Sequence, residues 1–195
     1  MPITINGAGT VTGISAGGLP DDCIVTADIA AGAVTQAKRS EQLTLATAQA
    51  STSGTSIDFT GIPSWVKRIT VMFNGVSTSG TSLIHLRLGT SSGVEATNYL
   101  GSSQDPTNSA VYSTGFALAP NNLATDVLHG QWVISLLNAA SNTWAESHLI
   151  GRSNNNLVAF GAGSKSLSGT LDRIRITTVN GTDTFDAGSI NILYE

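Results

Sequence analysis

Residues 66–74 read VKRITVMFN, and within them Ile69, Val71 and Phe73 lie two positions apart. Residues 83–88, LIHLRL, repeat this spacing with leucine and isoleucine. Side chains two apart point to the same face of a pleated strand, so each stretch predicts a strand with one apolar face. The side chains between them are expected to face solvent, namely Arg68, Thr70, His85 and Arg87. One packed face and one wet face are typical of antiparallel sheets.

Short apolar segments separated by polar turns continue the pattern through the rest of the chain. They are residues 56–59, 115–119, 130–137, 144–150, 157–162, 171–178 and 189–194. No segment shows a sustained period of 3.6 residues, so crossover helices and a parallel sheet are not expected. The sequence therefore predicts an all-β fold, with an antiparallel, jelly-roll-like β-sandwich over residues 43–195 and an extended segment over residues 1–42.

Composition excludes several classes of partner. Only 11% of the 195 residues are charged and the net charge is −4, so no basic surface is available for the phosphates of nucleic acid. No run of apolar residues is long enough to cross a membrane, and the first 20 residues lack a secretory leader pattern. The single cysteine, Cys23, forms no internal disulfide.

Three patterns that could carry catalysis or metal binding have simpler explanations. Residues 13–17 match the G-x-S-x-G pattern of a nucleophile elbow, but Gly18 and Pro20 follow where a helix would have to start. Asp183 and Asp186 could offer oxygen ligands to calcium, although a self-capped turn is favoured. The histidines are too far apart in sequence for a ligand motif and are expected on solvent faces of strands; they are His85, His129 and His148. We predict neither an enzyme nor a cofactor, while a spatial pair of carboxylates for glycoside cleavage stays open.

Several side chains could instead bind a ligand at the surface. Trp65 and Trp144, near strand ends, are expected to be partly exposed and able to stack on a sugar, whereas Trp132 lies in an apolar run and is expected in the core. The longest irregular stretch, residues 89–115, carries two candidate receptor contacts, Tyr99 and Tyr112. Three consecutive asparagines predict a hairpin loop first and a sugar-contacting tip second. They are Asn154, Asn155 and Asn156.

Residues 1–40 contain no aromatic side chain and are rich in alanine and glycine, so they cannot build a conventional core alone. The sequence of this segment is also distinctive. It resembles the N-terminal region of tailed-bacteriophage fibre and virion-appendage proteins at residues 3–15 (ITINGAGTVTGIS), 17–21 (GGLPD) and 25–38 (VTADIAAGAVTQAK). The later stretches that resemble terminal β domains of such proteins are residues 56–69, 171–178 and 184–195.

The resemblance implies a homotrimer located in the virion. Residues 1–42 would bind other virion proteins of the baseplate, tail or capsid, and the β domain would bind host-surface saccharide or protein. The Val-Thr unit occurs in barely two copies where longer fibres repeat it, which indicates a short fibre or a compact spike, and we predict a short tail fibre. The alternative is a capsid-decorating or tail-joining protein without receptor binding. The candidate anchoring and trimer residues are Ile3, Ile5, Val11, Ile14, Ile24, Ile29 and Val34.

Overall fold

The computed structural model describes residues 27, 29–34 and 43–195. The chain divides into two units, Met1–Ser40 and Glu41–Glu195. In the first unit, the Ala33 amide donates to the Ala30 carbonyl at 2.9 Å, and Gly32 has a φ of 77° that suits a turn. The assignment of anchoring to residues 1–42 stays a prediction.

The second unit consists of strands, turns and loops, and residues 43–195 contain no α-helix. Its fourteen strands pair only in antiparallel fashion. They are β1 (Thr44–Leu45), β2 (Gln49–Ala50), β3 (Ser56–Thr60), β4 (Arg68–Thr78), β5 (Ile84–Thr90), β6 (Gly93–Val94), β7 (Leu100–Gln104), β8 (Ser109–Tyr112), β9 (Phe116–Ala117), β10 (Leu128–Asn138), β11 (Thr143–Arg152), β12 (Leu157–Ser166), β13 (Arg173–Thr178) and β14 (Phe185–Tyr194). The predicted antiparallel, all-β, sandwich-like domain is confirmed.

The strands form two sheets of unequal size. The larger has nine strands in the order β1-β14-β4-β10-β11-β12-β7-β8, with β2 also paired to β14. The smaller has five strands in the order β3-β13-β5-β6, with β9 paired to β5. The longest strands, which have ten or eleven residues, lie side by side in the larger sheet and give it a broad regular face.

One continuous apolar core runs through the domain. The predicted inward face of β4 is confirmed, since Ile69, Val71 and Phe73 are all buried. The Trp132 ring packs edge-on against Phe73 with 5.3 Å between ring centroids, which confirms its predicted place in the core. Trp65 is half-buried against Tyr194, as expected.

The prediction of one irregular stretch over residues 89–115 is wrong. These residues contain β6, β7 and β8, and the last two form a hairpin that extends the larger sheet beyond β12. The sequence hides these strands because β7 reads LGSSQ and β8 reads SAVY, where small polar residues replace the β-branched and aromatic residues that usually indicate strands.

Two histidines and one tryptophan predicted near the surface are buried. His85 is 1% exposed, because β9 pairs with β5 beside it and Gly115 packs directly on its ring. His148 lies on the inner face of β11 opposite Gly161, where the missing side chain leaves room for the imidazole. Trp144 shares that inner face and is also buried. His129 is half-buried and accepts a hydrogen bond from the Gly75 amide.

Candidate functional site

The charged residues of the larger sheet between β10 and β8 all point inward. Strands β7, β8, β10, β11 and β12 contain three charged side chains, and each is buried: Glu146, Arg152 and Lys165. Lysine, arginine and glutamate are rarely buried without partners. The interior of this part of the domain therefore depends on specific pairing of these groups.

Glu146 and His148 form one such pair on β11. The Glu146 Oε2 atom lies 3.0 Å from His148 Nδ1, and both side chains are 1% exposed. The imidazole packs edge-on against Trp132 with 5.3 Å between ring centroids. Within the described part of the chain, His148 Nε2 has no hydrogen-bond partner. Because the pair is closed off from solvent, it is part of the core and not a site for catalysis on a bound substrate.

Arg152 joins two loops at one end of the sheet, the β7–β8 loop and the loop between β9 and β10. Its guanidinium donates to the Asn121 carbonyl at 2.7 Å and lies 3.5 Å from Asp126 Oδ2 and 3.8 Å from Asp105 Oδ2. Burial alone would raise the pKa of Asp105, but hydrogen bonds from Thr107 and the nearby arginine outweigh it and hold the pKa below its usual value. The buried contacts of Arg152 accordingly hold these loops together.

Lys165 on β12 is neutralised by Glu95. The two side chains form an ion pair, and the lysine also donates to the Ser166 carbonyl at 2.8 Å and lies 5.5 Å from the centroid of the Tyr99 ring. Burial opposes ionisation of Glu95, but the hydrogen bonds from Lys165 and Ser168 lower the pKa of this carboxyl below its usual value. No charge of β12 is left for the outer face.

The outer face carries a row of side chains that crosses seven strands. We call it the outer row; each member lies opposite the next in the strand register. From β8 to β14 it consists of Ser109, Gln104, Phe160, Leu149, Gln131, Met72 and Asn191. Adjacent strands are about 4.8 Å apart, so the row crosses nearly the full width of the sheet. None of its members is charged.

Phe160 is the central feature of the outer row. Of the eleven aromatic residues in the chain (three Trp, three Tyr and five Phe), all of which lie within residues 43–195, it is the most exposed, at 50%. Leu149 beside it is 58% exposed. Gln104, Ser109 and Gln131 are exposed as well, and no hydrogen bond within residues 43–195 engages their side chains. An apolar centre is thus flanked by unpaired amides and a hydroxyl.

Surfaces on both sides of Phe160 are shallow, and the one charged residue beside them, Arg152, has a buried side chain. The next row across the same strands begins with Val111, Ser102, Ala162, Ser147 and Val133. On the other side, a groove of about 520 Å³ is lined in part by Val158, Asn156 and His129. A broad apolar and hydroxyl-rich surface of this kind is unusual for the exposed face of a monomer.

The structure separates the two tyrosines that the sequence grouped as receptor contacts. Tyr99 is 1% exposed; its hydroxyl accepts from the Leu88 amide at 2.8 Å and donates to the Glu95 carbonyl at 2.9 Å. Burial raises the pKa of this phenol. Tyr99 therefore offers no surface to a receptor, and that prediction is wrong. Tyr112 on β8 is half-buried, with its ring against His85.

The three asparagines form the predicted hairpin loop between β11 and β12. Asn156 has a φ of 56°, the left-handed conformation that asparagine tolerates. Asn154 accepts from the Val127 amide at 3.0 Å and Asn155 donates to Asp126 at 2.8 Å. The side chains of Asn154 and Asn155 are thus hydrogen-bonded to the single loop that precedes β10, whereas Asn156 lines the groove beside the outer row.

The remaining sequence candidates are dispersed. Ile29 and Val34 are exposed, and the other five anchoring candidates lie outside the described residues: Ile3, Ile5, Val11, Ile14 and Ile24. Asp183 accepts from the Ser82 amide and from the Asn180 side chain, and Asp186 accepts from the Ser77 hydroxyl. The favoured turn capped by its own aspartates is therefore wrong in detail, because the amides of Thr182 and Asp183 donate to the Asn180 side chain. Among the described residues, no three His, Cys, Asp or Glu side chains come together as a metal-binding group.

Sequence reasoning missed Phe160. It correctly indicated a strand over residues 157–162, but Val158, Phe160 and Ala162 alternate as an inward face would, and nothing local shows that they face out.

Within the described ranges, no helix is long and apolar enough to span a bilayer. No protein-family model, curated protein or solved structure matches the chain.

Proposed function

We propose that the chain is a virion attachment protein, a short tail fibre that acts as a homotrimer. Residues 1–42 bind other virion proteins, and the outer row of the β domain binds saccharide on the host surface. One observation carries the saccharide assignment: Phe160 stands exposed in an uncharged row between the unpaired amides of Gln104 and Gln131. The sequence of residues 3–38, which resembles the N-terminal region of phage appendage proteins, supports the virion location.

The chemistry of the outer row suits a pyranose ring. One face of such a ring is apolar and packs on an aromatic or aliphatic side chain, which Phe160 and Leu149 provide. Its rim carries hydroxyls that exchange hydrogen bonds with amides and hydroxyls such as those of Gln104 and Ser109. A single shallow site gives modest affinity. Three sites held on one trimer raise the attachment strength through effective concentration.

Binding of the full chain to host bacteria tests the proposal. The labelled chain is expected to bind the bacteria that the particle infects and to compete with adsorption of the particle. Phe160→Ala is expected to weaken both effects by about tenfold or more, since the ring loses its apolar contact. Val179→Ala is the matched control, because Val179 is 45% exposed but follows β13 of the smaller sheet. Full binding by the Phe160 variant would refute the assignment.

A second candidate function is a capsid-decorating or tail-joining role without a receptor. The exposed apolar residues at the β7–β8 edge favour it, since Leu100 is 74% and Val111 is 84% exposed and such patches often mark protein contacts. This role requires tens to hundreds of copies per particle, against a few trimers for a fibre. Gel densitometry of purified particles separates the two, and a high copy number without competition for adsorption would favour the decorating role.

A further inference from the structure

We propose that the outer row binds an internal stretch of an uncharged glycan that lies across the strands, over Gln104, Phe160, Leu149 and Gln131. This inference rests on the proposed function and makes it more specific, because it commits to the charge, the direction and the length of the ligand. Each of the three follows from a different feature of the sheet.

The charge of the ligand follows from the inward direction of the cations. A glycan with carboxylate, phosphate or sulfate groups is held by arginine or lysine side chains. On the strands that carry the site, the two cations are Arg152 and Lys165, and both are buried and already paired with carboxylates. The chain itself has a net charge of −4, so an acidic polymer is repelled and gains no compensating ion pair. An uncharged glycan incurs neither penalty.

The direction of the ligand follows from what surrounds Phe160. Along its own strand, the outward neighbours Val158 and Ala162 are apolar and offer no hydrogen bond. Across the strands, Gln104 lies directly opposite on one side, and Leu149 followed by Gln131 lies on the other. Polar, aromatic, aliphatic and polar groups therefore succeed one another only in the crossing direction. This order matches a chain whose ring faces are apolar and whose edges carry hydroxyls.

The length of the ligand follows from the strand spacing. Adjacent strands are about 4.8 Å apart, which is comparable with the advance of one sugar unit along an extended glycan. The four side chains then contact about four consecutive units, one per strand. The sheet continues past both glutamines to Ser109 and Met72, so the site is open at both ends. An open site accepts an internal stretch and does not require a chain end.

Fractions of the host's own polysaccharide provide the probe. Envelope polysaccharide is separated by anion exchange into uncharged and acidic fractions, and binding of the full chain is measured by affinity electrophoresis and by calorimetry. The uncharged fraction is expected to bind and the acidic fraction to bind at least tenfold more weakly. Trimming the uncharged fraction to defined lengths should weaken binding steadily below about four units. Equal competition by the free monosaccharide would overturn the inference.

Variants at the two ends test the direction. Gln104→Ala and Gln131→Ala are each expected to weaken binding about three- to tenfold, as the loss of one neutral hydrogen bond does, and Phe160→Ala about tenfold or more. Val179→Ala should bind as the unaltered chain does. An effect of Gln104 without any effect of Gln131 would overturn the crossing arrangement.

The same measurements separate this inference from the function on which it rests. If the chain binds bacteria through Phe160 but binds only the acidic fraction, or neither fraction, attachment stands and the uncharged-glycan inference is overturned. If the chain binds neither bacteria nor any fraction, both are overturned. Circular dichroism of every variant confirms that a loss of binding is not a loss of fold.

Discussion

Lowering the pH should destabilise the domain through His85. This side chain is 1% exposed, and within the described residues neither of its ring nitrogens has a hydrogen-bond partner. Burial, and then the neighbouring Arg87 charge, lower the pKa of His85 from 6.5 to about 4 in the folded chain. The unfolded chain therefore takes up a proton near pH 6.5, and the folded chain resists it until about pH 4.

The sign and size of the effect follow from this difference. Above pH 6.5 the histidine is neutral in both states and contributes nothing to the pH dependence. Between pH 6.5 and pH 4 the unfolded state binds more protons, so the free energy of unfolding falls as the pH is lowered. From the two pKa values, the loss reaches about 2.5 kcal/mol by pH 4.5. Below pH 4 this contribution levels off.

Urea unfolding at pH 7.5 and pH 4.5 measures the loss. His85→Phe removes the titrating group, keeps an aromatic ring beside Tyr112 and sacrifices no hydrogen bond within the described residues. The variant should lose about 2.5 kcal/mol less than the unaltered chain between the two pH values, and carboxylates common to both chains cancel in the comparison. His85→Gln, which also does not titrate, should show the same reduced loss. Equal losses in all three chains would refute the reasoning.

Thermal unfolding of substituted chains tests two positions on the inner side of the larger sheet, Gly161 and Arg152, and one in the β11–β12 loop, Asn156. Gly161→Ala places a methyl group 2.4 Å from the ring of His148 and should cost about 1–3 kcal/mol of stability; an unchanged melting temperature would contradict the close packing. Arg152→Met leaves the carboxylates of Asp105 and Asp126 buried without their cation and should cost about 3–5 kcal/mol of stability. Combining it with Asp105→Asn and Asp126→Asn should restore part of the loss. Asn156→Gly should leave stability nearly unchanged while Asn156→Ala lowers it by about 1 kcal/mol, because only the alanine is strained at a φ of 56°.

The sequence was sufficient to predict a strand and its buried face where that face is uniformly apolar. On β4, Ile69, Val71 and Phe73 alternate with Arg68, Thr70 and Met72, and the three β-branched or aromatic side chains lie in the core. The same reasoning could not determine β7 and β8, whose short segments are polar. β7 becomes a strand because β12 offers it an unpaired edge, and β8 then pairs with β7. Pairing between segments more than fifty residues apart leaves no local pattern to detect.

Strand β12 shows why the outer row escaped sequence analysis. Its two faces are Leu157, Ala159, Gly161, Gly163 and Lys165 on the inside, and Val158, Phe160, Ala162, Ser164 and Ser166 on the outside. Apolarity alone assigns the second set to the core. The structure places Lys165 inside instead, because Glu95, seventy residues earlier, supplies its counter-charge. Burial of Lys165, and with it the outward direction of Phe160, is favourable only because of this distant partner.

The placement of charges inside and Phe160 outside is hard to explain by stability alone. A slip of one residue in β11 and β12 would turn Leu149, Val158 and Phe160 into the core and expose Glu146 and Lys165. On β12 that arrangement would bury more apolar surface and leave one buried charge fewer to be paired. The actual register is instead held by the large inward side chains of Trp144 and Ile150 on β11, which a slip would expose. Since buried ion pairs seldom improve stability over apolar packing, the packing of β12 alone does not account for this register, which leaves the uncharged outer row with Phe160 at its centre on the outside.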